Sequence, residues 1–181
     1  LMDVGWWSAA LLDEVGAAAD PGHVVRTALE LQACAAERIA AVAADPRAWR
    51  RFALTTGVSA ALAEHLVRHP EHLAILFEDS PPPAAQALNE QVVAAVSGTG
   101  AGAADALRVA YRAALLRITI ADVAHSAPFE LTALRLSELA DAVLSGALVA
   151  AREQLPAGAP EVRLAIIGMG KCGGRELNYI S

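Results

Sequence analysis

Three glycines near the end of the chain have the spacing of a phosphate-binding turn. Gly168, Gly170 and Gly173 match the pattern G-x-G-x-x-G, and Lys171 lies between them. A buried strand that runs into such a turn presents several backbone N–H groups in one concavity, and a lysine adds positive charge, so the pattern indicates phosphate binding. A purely structural interpretation stays open, because a strand-to-helix turn also needs glycine where the backbone takes a positive φ, here at Gly173.

Two nucleotide-binding motifs begin in a similar way but differ in what must surround them. A Walker A loop is excluded, because Ala165 stands where its first glycine is required and Cys172 where it needs serine or threonine. A Rossmann turn places an acidic residue about 20 positions after the glycines, which lies past Ser181. The residues after the turn, GGRELNYIS, are polar and loop-like, whereas a Rossmann turn continues into an amphipathic helix. The Rossmann alternative is therefore disfavoured but open.

Three histidines lie close together in the first half of the chain. His65 and His69 are one helical turn apart, and His72 follows Pro70. Two histidines at i and i+4 of a helix can chelate a metal ion. Because the proline redirects the chain before His72, and no cysteine or acidic residue completes an obvious ligand set, we interpret the three histidines as structural.

Composition argues against several classes of protein. The net charge is −6 with 14 lysines and arginines in 181 residues, the opposite of a nucleic-acid-binding protein. Apolar residues make up 55%, but charged residues or histidine interrupt every hydrophobic segment before the roughly 18 residues that a membrane span needs. We therefore expect neither nucleic acid nor a membrane as a partner.

The two cysteines bear on the cellular compartment, and the first residue bears on whether the chain is part of a longer protein. Cys34 and Cys172 are far apart and suggest neither a disulfide nor a metal site, which fits a reducing cytoplasm. Cys34 is predicted to be a small buried residue on its helix. The chain begins at Leu1 rather than at methionine, so we expect a piece of a longer protein.

The glycine turn needs a scaffold, and the pattern up to about Leu155 predicts a helical one. Alanine and helical periodicity dominate this region, and aromatic residues make up only 4% of the chain. Helix starts are predicted at Asp20-Pro21, at Asp45-Pro46 and at Ser59, and a helix end at Gly57. The faces predicted to be buried are Val25, Leu29, Ala36 and Ile39, then Trp49, Phe52 and Ala53, then Leu62 and Leu66.

Two long helical segments come before the turn. They cover DALRVAYRAALLRITIADVAHS and PFELTALRLSELADAVLSGALVAAREQL, and their apolar residues share a heptad-like spacing. We predict an antiparallel pair with its turn near Ala127-Pro128, in which Gly146 lets the backbones approach closely. The residues predicted at the contact are Leu107, Tyr111, Ala114, Ile118 and Ala121 on one helix and Leu136, Leu139, Val143 and Ala147 on the other.

A change of pattern marks a domain boundary. The segment PAGAP at 156–160 ends the helical regime, and the apolar run VRLAIIGMG follows it. We predict a helical domain over residues 1–155, and over 156–181 a linker, a first strand and the glycine turn of a second domain. The predicted fold class is mainly α, with an α/β domain beginning at Val162.

The segment AIIGMGKCGGRELNYIS resembles the part of the glutamine synthetase adenylyltransferase family that precedes an Asp-x-Asp motif. These proteins are bifunctional adenylylating and adenylyl-removing enzymes. Three upstream segments are similar to the same family, namely GVSAALAEHLVRHPEHLAIL, YRAALLRITIADVAHS and LTALRLSELADAVLSGAL. The resemblance covers most of the chain and is weakest before Asp20 and across the proline and glycine spacers.

The resemblance implies a nucleotidyltransferase domain of the DNA polymerase β superfamily. The signature of that domain is a glycine turn followed on the next strand by Asp-x-Asp, and Gly170 and Lys171 fall at the residue pair of the turn. Lysine departs from the small residue of the superfamily, so we expect backbone N–H groups to contact the phosphate. The residues implied to bind nucleotide or phosphate are Gly168, Gly170, Lys171, Gly173, Gly174, Arg175, Asn178 and Ser181.

The chemistry implied by the resemblance is addition or removal of an adenylyl group on a tyrosine of glutamine synthetase. One half of such an enzyme transfers AMP from ATP, and the other removes it by phosphorolysis and releases ADP. The Ser-Ala-Ala-Leu and His-Pro segments resemble the adenylyl-removing half. Glutamine synthetase is the implied partner, and a PII-type signalling protein is a further partner that the resemblance allows.

Mg²⁺ is the metal that the resemblance implies, with its carboxylate ligands just past Ser181. We therefore expect no catalytic residue and no metal ligand within this chain, and we expect the chain alone to be inactive. Two other hypotheses stay open. One is an NAD- or FAD-binding protein whose Rossmann domain begins at Val162, and the other is a helical module that docks a protein partner.

Overall fold

The structure is a computed structural model that describes residues 7–160 and 162–179. Its α-helices are α1 (Ala9–Gly16), α2 (Pro21–Cys34), α3 (Ala36–Ala44), α4 (Pro46–Val58), α5 (Ala60–Arg68), α6 (Ala85–Val96), α7 (Ala103–Val123), α8 (Phe129–Glu153) and α9 (Gly170–Gly173). Two 3₁₀ helices, Pro70–Phe77 and Gly100–Gly102, lie between them. The predicted mainly helical fold class is confirmed. No helix within the described ranges is both long enough and apolar enough to cross a membrane.

The helices group into two compact units. The first unit contains the residues up to Pro81 together with 119–126, and the second contains 82–118 and 127–181. Most of α7 therefore belongs to the second unit, and its last turn belongs to the first. Helix α8 ends at Glu153, shortly before the predicted domain boundary at 155–156, and that boundary stays a prediction.

The helix starts of the first unit follow the predicted capping pattern. The Asp20 carboxylate accepts a hydrogen bond of 2.8 Å from the His23 amide, and Pro21 occupies the first position of α2. Asp45 caps α4 in the same way, and the Ser59 hydroxyl accepts from the Leu62 amide at the start of α5. Such caps satisfy amides that have no partner within the helix, so they fix where each helix begins.

Aromatic side chains of α4 form the centre of the first unit. Trp49 and Phe52 are fully buried, as predicted, and their rings stack with centroids 5.2 Å apart. The indole nitrogen of Trp49 donates a 3.0 Å hydrogen bond to the Leu11 carbonyl oxygen, and Trp7 packs edge-on against the same ring. Burying a tryptophan costs little when its N–H keeps a partner, so Trp49 can join α1 to α4.

The predictions for α2 and α3 were partly wrong, although Ile39 is fully buried as predicted. The buried face of α2 consists of Val24, Ala28 and Leu31 rather than Val25 and Leu29, and Ala36 is exposed. The helix also ends at Cys34, with α3 beginning after Ala35, so one predicted helix is two. Cys34 is exposed rather than buried. Alanine is apolar but small, so an alanine-rich helix has several faces of similar hydropathy and its period alone fixes the buried face poorly.

Gly57 does not end its helix. Helix α4 continues to Val58, and no positive φ occurs at Gly57. A Cβ at this position would lie 2.8 Å from the Cβ of Ala18, closer than folded proteins allow. Glycine is required here because another segment of the chain packs directly on the helix.

The second unit is built around α8. The Arg135 guanidinium donates to the Pro83 carbonyl oxygen just before α6, and the Glu153 carboxylate accepts from the Gly98 amide just after it. These two contacts lie at matching ends, so α6 runs parallel to α8. A Cβ at Gly146 of α8 would lie 3.0 Å from side-chain carbons of both Val92 and Leu107.

Helices α7 and α8 form the predicted antiparallel contact. Gly146 packs against Leu107 near the start of α7, while Ile118 further along α7 shares a small cavity with Arg135 near the start of α8. The buried stripe of α8 includes Leu136 and Leu139, as predicted. It continues through Ala142, Gly146 and Ala150, whereas Ala147 is exposed.

The predicted first strand is not a strand in the structure. Residues 162–169 carry no helix and pair with no other segment of the described chain. Their apolar side chains are exposed, with Ile167 and Met169 each at 83%. A strand exists only through its hydrogen bonds to a neighbour, and the described ranges contain no strand for this segment to pair with.

Candidate functional site

The glycine segment folds into a tight turn around the short helix α9. Gly170 begins this helix at a φ of +58°, and Arg175 leaves it at the same value. Four consecutive amides donate back to carbonyl oxygens of the turn. They are Gly173 to Met169 (3.3 Å), Gly174 to Gly170 (2.8 Å), Arg175 to Cys172 (3.2 Å) and Glu176 to Lys171 (2.8 Å). The turn is therefore held together by its own backbone.

The glycines of the turn serve different purposes. Gly170 occupies the left-handed region that side-chain-bearing residues avoid. Gly173 does not, which corrects the expectation of a positive φ there. It is needed for close approach instead, since a Cβ on Gly173 would lie 2.5 Å from the Gly168 carbonyl oxygen. A Cβ on Gly168 would make ordinary contacts, the nearest at 3.5 Å.

The turn brings together most of the residues predicted to bind phosphate. Residues 168–175 form it, Asn178 follows three residues later, and Ser181 lies outside the described residues. The amides of Gly173 and Gly174 donate within the turn, so in this arrangement they are not directed at a ligand. The side chains of Lys171 and Arg175 carry positive charge at its exposed surface. The binding role of these residues stays a prediction.

Two residues of α8 hold the segment that follows the turn. The Leu177 amide donates to the Ser137 hydroxyl oxygen at 3.3 Å, and the Arg175 guanidinium lies 4.0 Å from the Glu138 carboxylate. The same carboxylate accepts a 2.8 Å hydrogen bond from Arg135. Sequence reasoning missed Ser137 and Glu138, because on a helix they have the appearance of ordinary surface residues and their partners are about 40 residues away.

Open grooves flank the extended segment before the turn. One, of about 270 Å³, is lined by residues of α8 including Asp141 and Ser145, and by Ile166 and Gly168. A larger one, of about 570 Å³, lies between the end of α8 and residues of 156–160 together with Val162 and Leu164. Leu148 of α8 and Leu164 of the extended segment line both grooves.

The residues of the turn do not fit a magnesium site. Mg²⁺ prefers oxygen ligands and usually one or two carboxylates, and Glu176 is the only carboxylate within 168–178. The cations Lys171 and Arg175 match phosphate oxygens rather than a metal ion.

The three histidines of the first unit come together. His65 Nε2 lies 2.8 Å from His72 Nδ1, at hydrogen-bonding distance, and His69 lies beside both rings. Among the described residues, no group of three potential ligands is arranged to hold a metal ion. Hydrogen bonds from its own amide and from His69 lower the pKa of the adjacent Glu71 below its ordinary value of 4.5.

Comparison with known proteins places this turn in a family. The family model described as glutamate-ammonia ligase adenylyltransferase matches residues 49–181, from the start of α4 through the glycine turn. The chain belongs to this family. The resemblance read from AIIGMGKCGGRELNYIS is confirmed, and nothing in the comparisons supports a Rossmann protein or a separate helical module.

Curated relatives of this adenylyltransferase-family chain carry one name, bifunctional glutamine synthetase adenylyltransferase/adenylyl-removing enzyme. The protein of Streptomyces avermitilis is 40% identical over 180 residues, which is 94% of this chain and 17% of that protein. The protein of Mycolicibacterium smegmatis is 42% identical over 147 residues, 75% of this chain and 14% of that protein. The protein of Cutibacterium acnes is 37% identical over 179 residues, 90% of this chain and 18% of that protein.

The chain thus spans less than a fifth of the length of these relatives. No solved structure matches it. Family membership therefore rests on sequence.

Proposed function

We propose that this chain is part of an enzyme that controls glutamine synthetase by adding and removing an adenylyl group, and that it belongs to the adenylyl-removing half. The observation that carries the proposal is that the family match extends through the glycine turn at 168–174. Assignment to the removing half is supported by the resemblance of the Ser-Ala-Ala-Leu and His-Pro segments to that half. The reaction would be phosphorolysis in a cytoplasmic enzyme.

The proposed reaction moves one adenylyl group from tyrosine to phosphate. An oxygen of inorganic phosphate attacks the phosphorus of adenylyl-tyrosine, the bond from phosphorus to the tyrosine oxygen breaks, and that oxygen takes up a proton. The products are ADP and unmodified tyrosine. Lys171 and Arg175 would offset negative charge that builds up on the phosphate oxygens, and the closed backbone of the turn would keep them in place.

The extended segment before the turn would be completed by residues outside the chain. Its exposed apolar side chains, such as Ile167, fit a strand that becomes buried once a neighbouring strand pairs with it. That neighbour would carry the Asp-x-Asp carboxylates, which supply the Mg²⁺ ligands that the turn lacks. Two carboxylates at i and i+2 of a strand share one face, so they can bind metal together. A PII-type signalling protein would act on the whole enzyme.

Replacing Lys171 by alanine in the complete enzyme tests the proposal. We expect phosphate-dependent release of ADP from adenylylated glutamine synthetase to show a KM for phosphate raised roughly two- to fivefold, the size expected of a single exposed charge. The increase should shrink as salt is added, because screening weakens the interaction of exposed charges. Transfer of AMP from ATP to unmodified glutamine synthetase should not change.

Cys172→Leu is the matched control, since the neighbouring thiol is given no chemical role and both reactions should be nearly unaffected. If Lys171→Ala impairs AMP transfer and spares ADP release, the chain belongs to the adenylylating half. If neither reaction depends on Lys171 at any salt concentration, the role of the turn in phosphate binding is wrong.

A further inference from the structure

Helix α8 contacts the peptide after the glycine turn at two successive residues. Ser137 accepts a hydrogen bond from the Leu177 amide at 3.3 Å, and Glu138 faces the Arg175 guanidinium at 4.0 Å. Backbone and side chain are thus both recognised, one by a hydroxyl and the other by a carboxylate. Both contacts lie within the second unit.

Glu138 is held in place by contacts that do not involve Arg175. Its side chain is only 10% exposed, and Oε2 accepts a 2.8 Å hydrogen bond from Arg135, one turn earlier on α8. Arg135 is itself held by the Pro83 carbonyl oxygen. The other carboxylate oxygen, Oε1, is the one directed at Arg175. A nearly buried carboxylate needs compensation by cations, and here two arginines share its two oxygens.

Ser137 is oriented in the same way. Its hydroxyl donates to the Ala133 carbonyl oxygen at 2.9 Å, within α8, which directs its lone pairs outward. One of them receives the Leu177 amide. The residue is almost fully buried, at 1% exposed, so this hydrogen bond has little competition from water.

The backbone hydrogen bonds of the turn hold its shape but do not attach it to α8. Its amides from Gly173 to Glu176 close it on itself, and it ends at Arg175 with a φ of +58°. A closed turn of this kind changes direction as one body. The contacts at Arg175 and Leu177 tie the end of this turn to α8 and so help to set where its exposed cations are directed.

We propose that Glu138 and Ser137 are positioning residues, through which the helical lead-in sets the orientation of the glycine turn toward phosphate. This inference rests on the proposed function, and it adds two residues of α8 that touch no substrate. Arg175 then acts partly through Glu138 rather than only on the ligand. Removing one partner should weaken catalysis without disturbing the helices.

A double-mutant cycle in the complete enzyme tests the inference, using Glu138→Gln, Arg175→Gln and the two together. The measured quantity is kcat/KM for phosphate in ADP release from adenylylated glutamine synthetase. Glu138→Gln should lose roughly two- to fivefold, the size expected of one partly exposed ion pair, and Arg175→Gln should lose at least as much. The kcat/KM of the double variant should be no lower than that of the less active single variant, because both changes remove the same interaction. Arg175→Lys should retain more activity than Arg175→Gln.

Controls separate positioning from folding. Glu130→Gln, an exposed change in the first turn of the same helix, should leave kcat/KM unchanged. Circular dichroism of the Glu138→Gln, Arg175→Gln and Ser137→Ala enzymes should match that of the unchanged enzyme, although the unfolding midpoint of Glu138→Gln should fall because Arg135 loses its charged partner. If Glu138→Gln fails to fold, Ser137→Ala is the variant that tests the inference. It removes only the contact to Leu177 and one hydrogen bond within α8. A loss of kcat/KM in a folded Ser137→Ala enzyme supports the inference.

Two results would overturn it: a Glu138→Gln or folded Ser137→Ala enzyme with unchanged kcat/KM, or single losses that multiply in the double variant. Lys171→Ala, measured in parallel, distinguishes this failure from that of the proposed function. If Lys171→Ala raises the KM for phosphate while the α8 variants do nothing, the positioning role alone is wrong. If Lys171→Ala has no effect, the phosphate-binding turn itself is wrong.

Discussion

Arg51 is a buried cation whose partners all belong to one short segment. It is 5% exposed, and its guanidinium donates at 2.9 Å to the carbonyl oxygens of both Leu76 and Glu78. A third hydrogen bond of 3.1 Å goes to the Asp79 carboxylate. Carbonyl groups at the end of a helix lack partners within it, so Arg51 satisfies the end of the 3₁₀ helix Pro70–Phe77 and fastens it to α4.

Asp79 predicts how stability depends on pH. The hydrogen bond from Arg51 and the charge of Arg47 lower the pKa of Asp79 below its ordinary value of 3.8. A lowered pKa in the folded state means that the carboxylate stabilises the protein above pH 3.8, and that this contribution is lost as pH falls through the folded value. Asp79→Asn should therefore unfold at a lower temperature than the unchanged chain at pH 7, and the gap should narrow as the pH falls below 3.8.

Thermal unfolding followed by circular dichroism from pH 7 to pH 3 measures this gap. A gap that stays constant down to pH 3 would mean that the Asp79 charge does not act through Arg51.

Local signals explain which residues could be predicted. An aspartate before a proline announces a helix start within a few residues, and Asp20 and Asp45 both cap as expected. Arg51 could not be found this way, because an arginine next to another in a helix normally faces water. Its carbonyl partners lie 25 and 27 residues further along the chain, where no pattern links them to it.

Helix α8 is the element on which the second unit depends. It packs along α6, contacts α7 and carries the two residues that hold the peptide after the turn. Its buried stripe was largely predictable, since large apolar residues at helical spacing identify a face. Which helix would lie parallel to it was not predictable, because α6 and α7 present similar alanine-rich faces.

Leu139→Ala tests the core face of α8. Leu139 is 1% exposed, so its truncation should lower the free energy of unfolding by ~2–5 kcal/mol through lost burial and a residual cavity. Leu144 on the same helix is 38% exposed, and Leu144→Ala should cost less than about 0.5 kcal/mol. Denaturant unfolding of the two variants gives both values, and equal costs would contradict the assigned face.

The extended segment shows the limit of a prediction from one element. Its apolar run was correctly set apart from the helices, and an isolated apolar run is typical of a buried strand. Strand structure, however, depends on a partner, and residues 162–169 have none among the described residues. The pattern therefore predicts a capacity to pair rather than a strand in this chain.

At the scale of the whole molecule, the family could be read from the sequence and the division into units could not. The glycine turn and its flanks form a continuous motif, which a single sequence displays. By contrast, residues 119–126 group with the residues up to Pro81 through contacts between distant parts of the chain. Such contacts leave no local signal.

The 181-residue chain by itself should not release ADP from adenylylated glutamine synthetase. The turn supplies cations and amides, and Glu176 alone offers a carboxylate there, so charge developing in the transition state would lack its metal ions. The assay contains phosphate and Mg²⁺, with the complete enzyme as positive control. Magnesium-dependent ADP formation by the chain alone would show that its catalytic groups are already present.

The most direct test of the account is Gly173→Val in the complete enzyme. A side chain at this position would meet the Gly168 carbonyl oxygen at 2.5 Å and force the turn open. Gly102→Val is the matched control, because a Cβ there meets nothing within 4 Å. We predict that Gly173→Val lowers the rate of ADP release on the order of 10²–10³-fold, as loss of a preorganised electrostatic contact does, while the helices stay folded and the control stays active. Unchanged ADP release by a folded Gly173→Val enzyme would contradict the account.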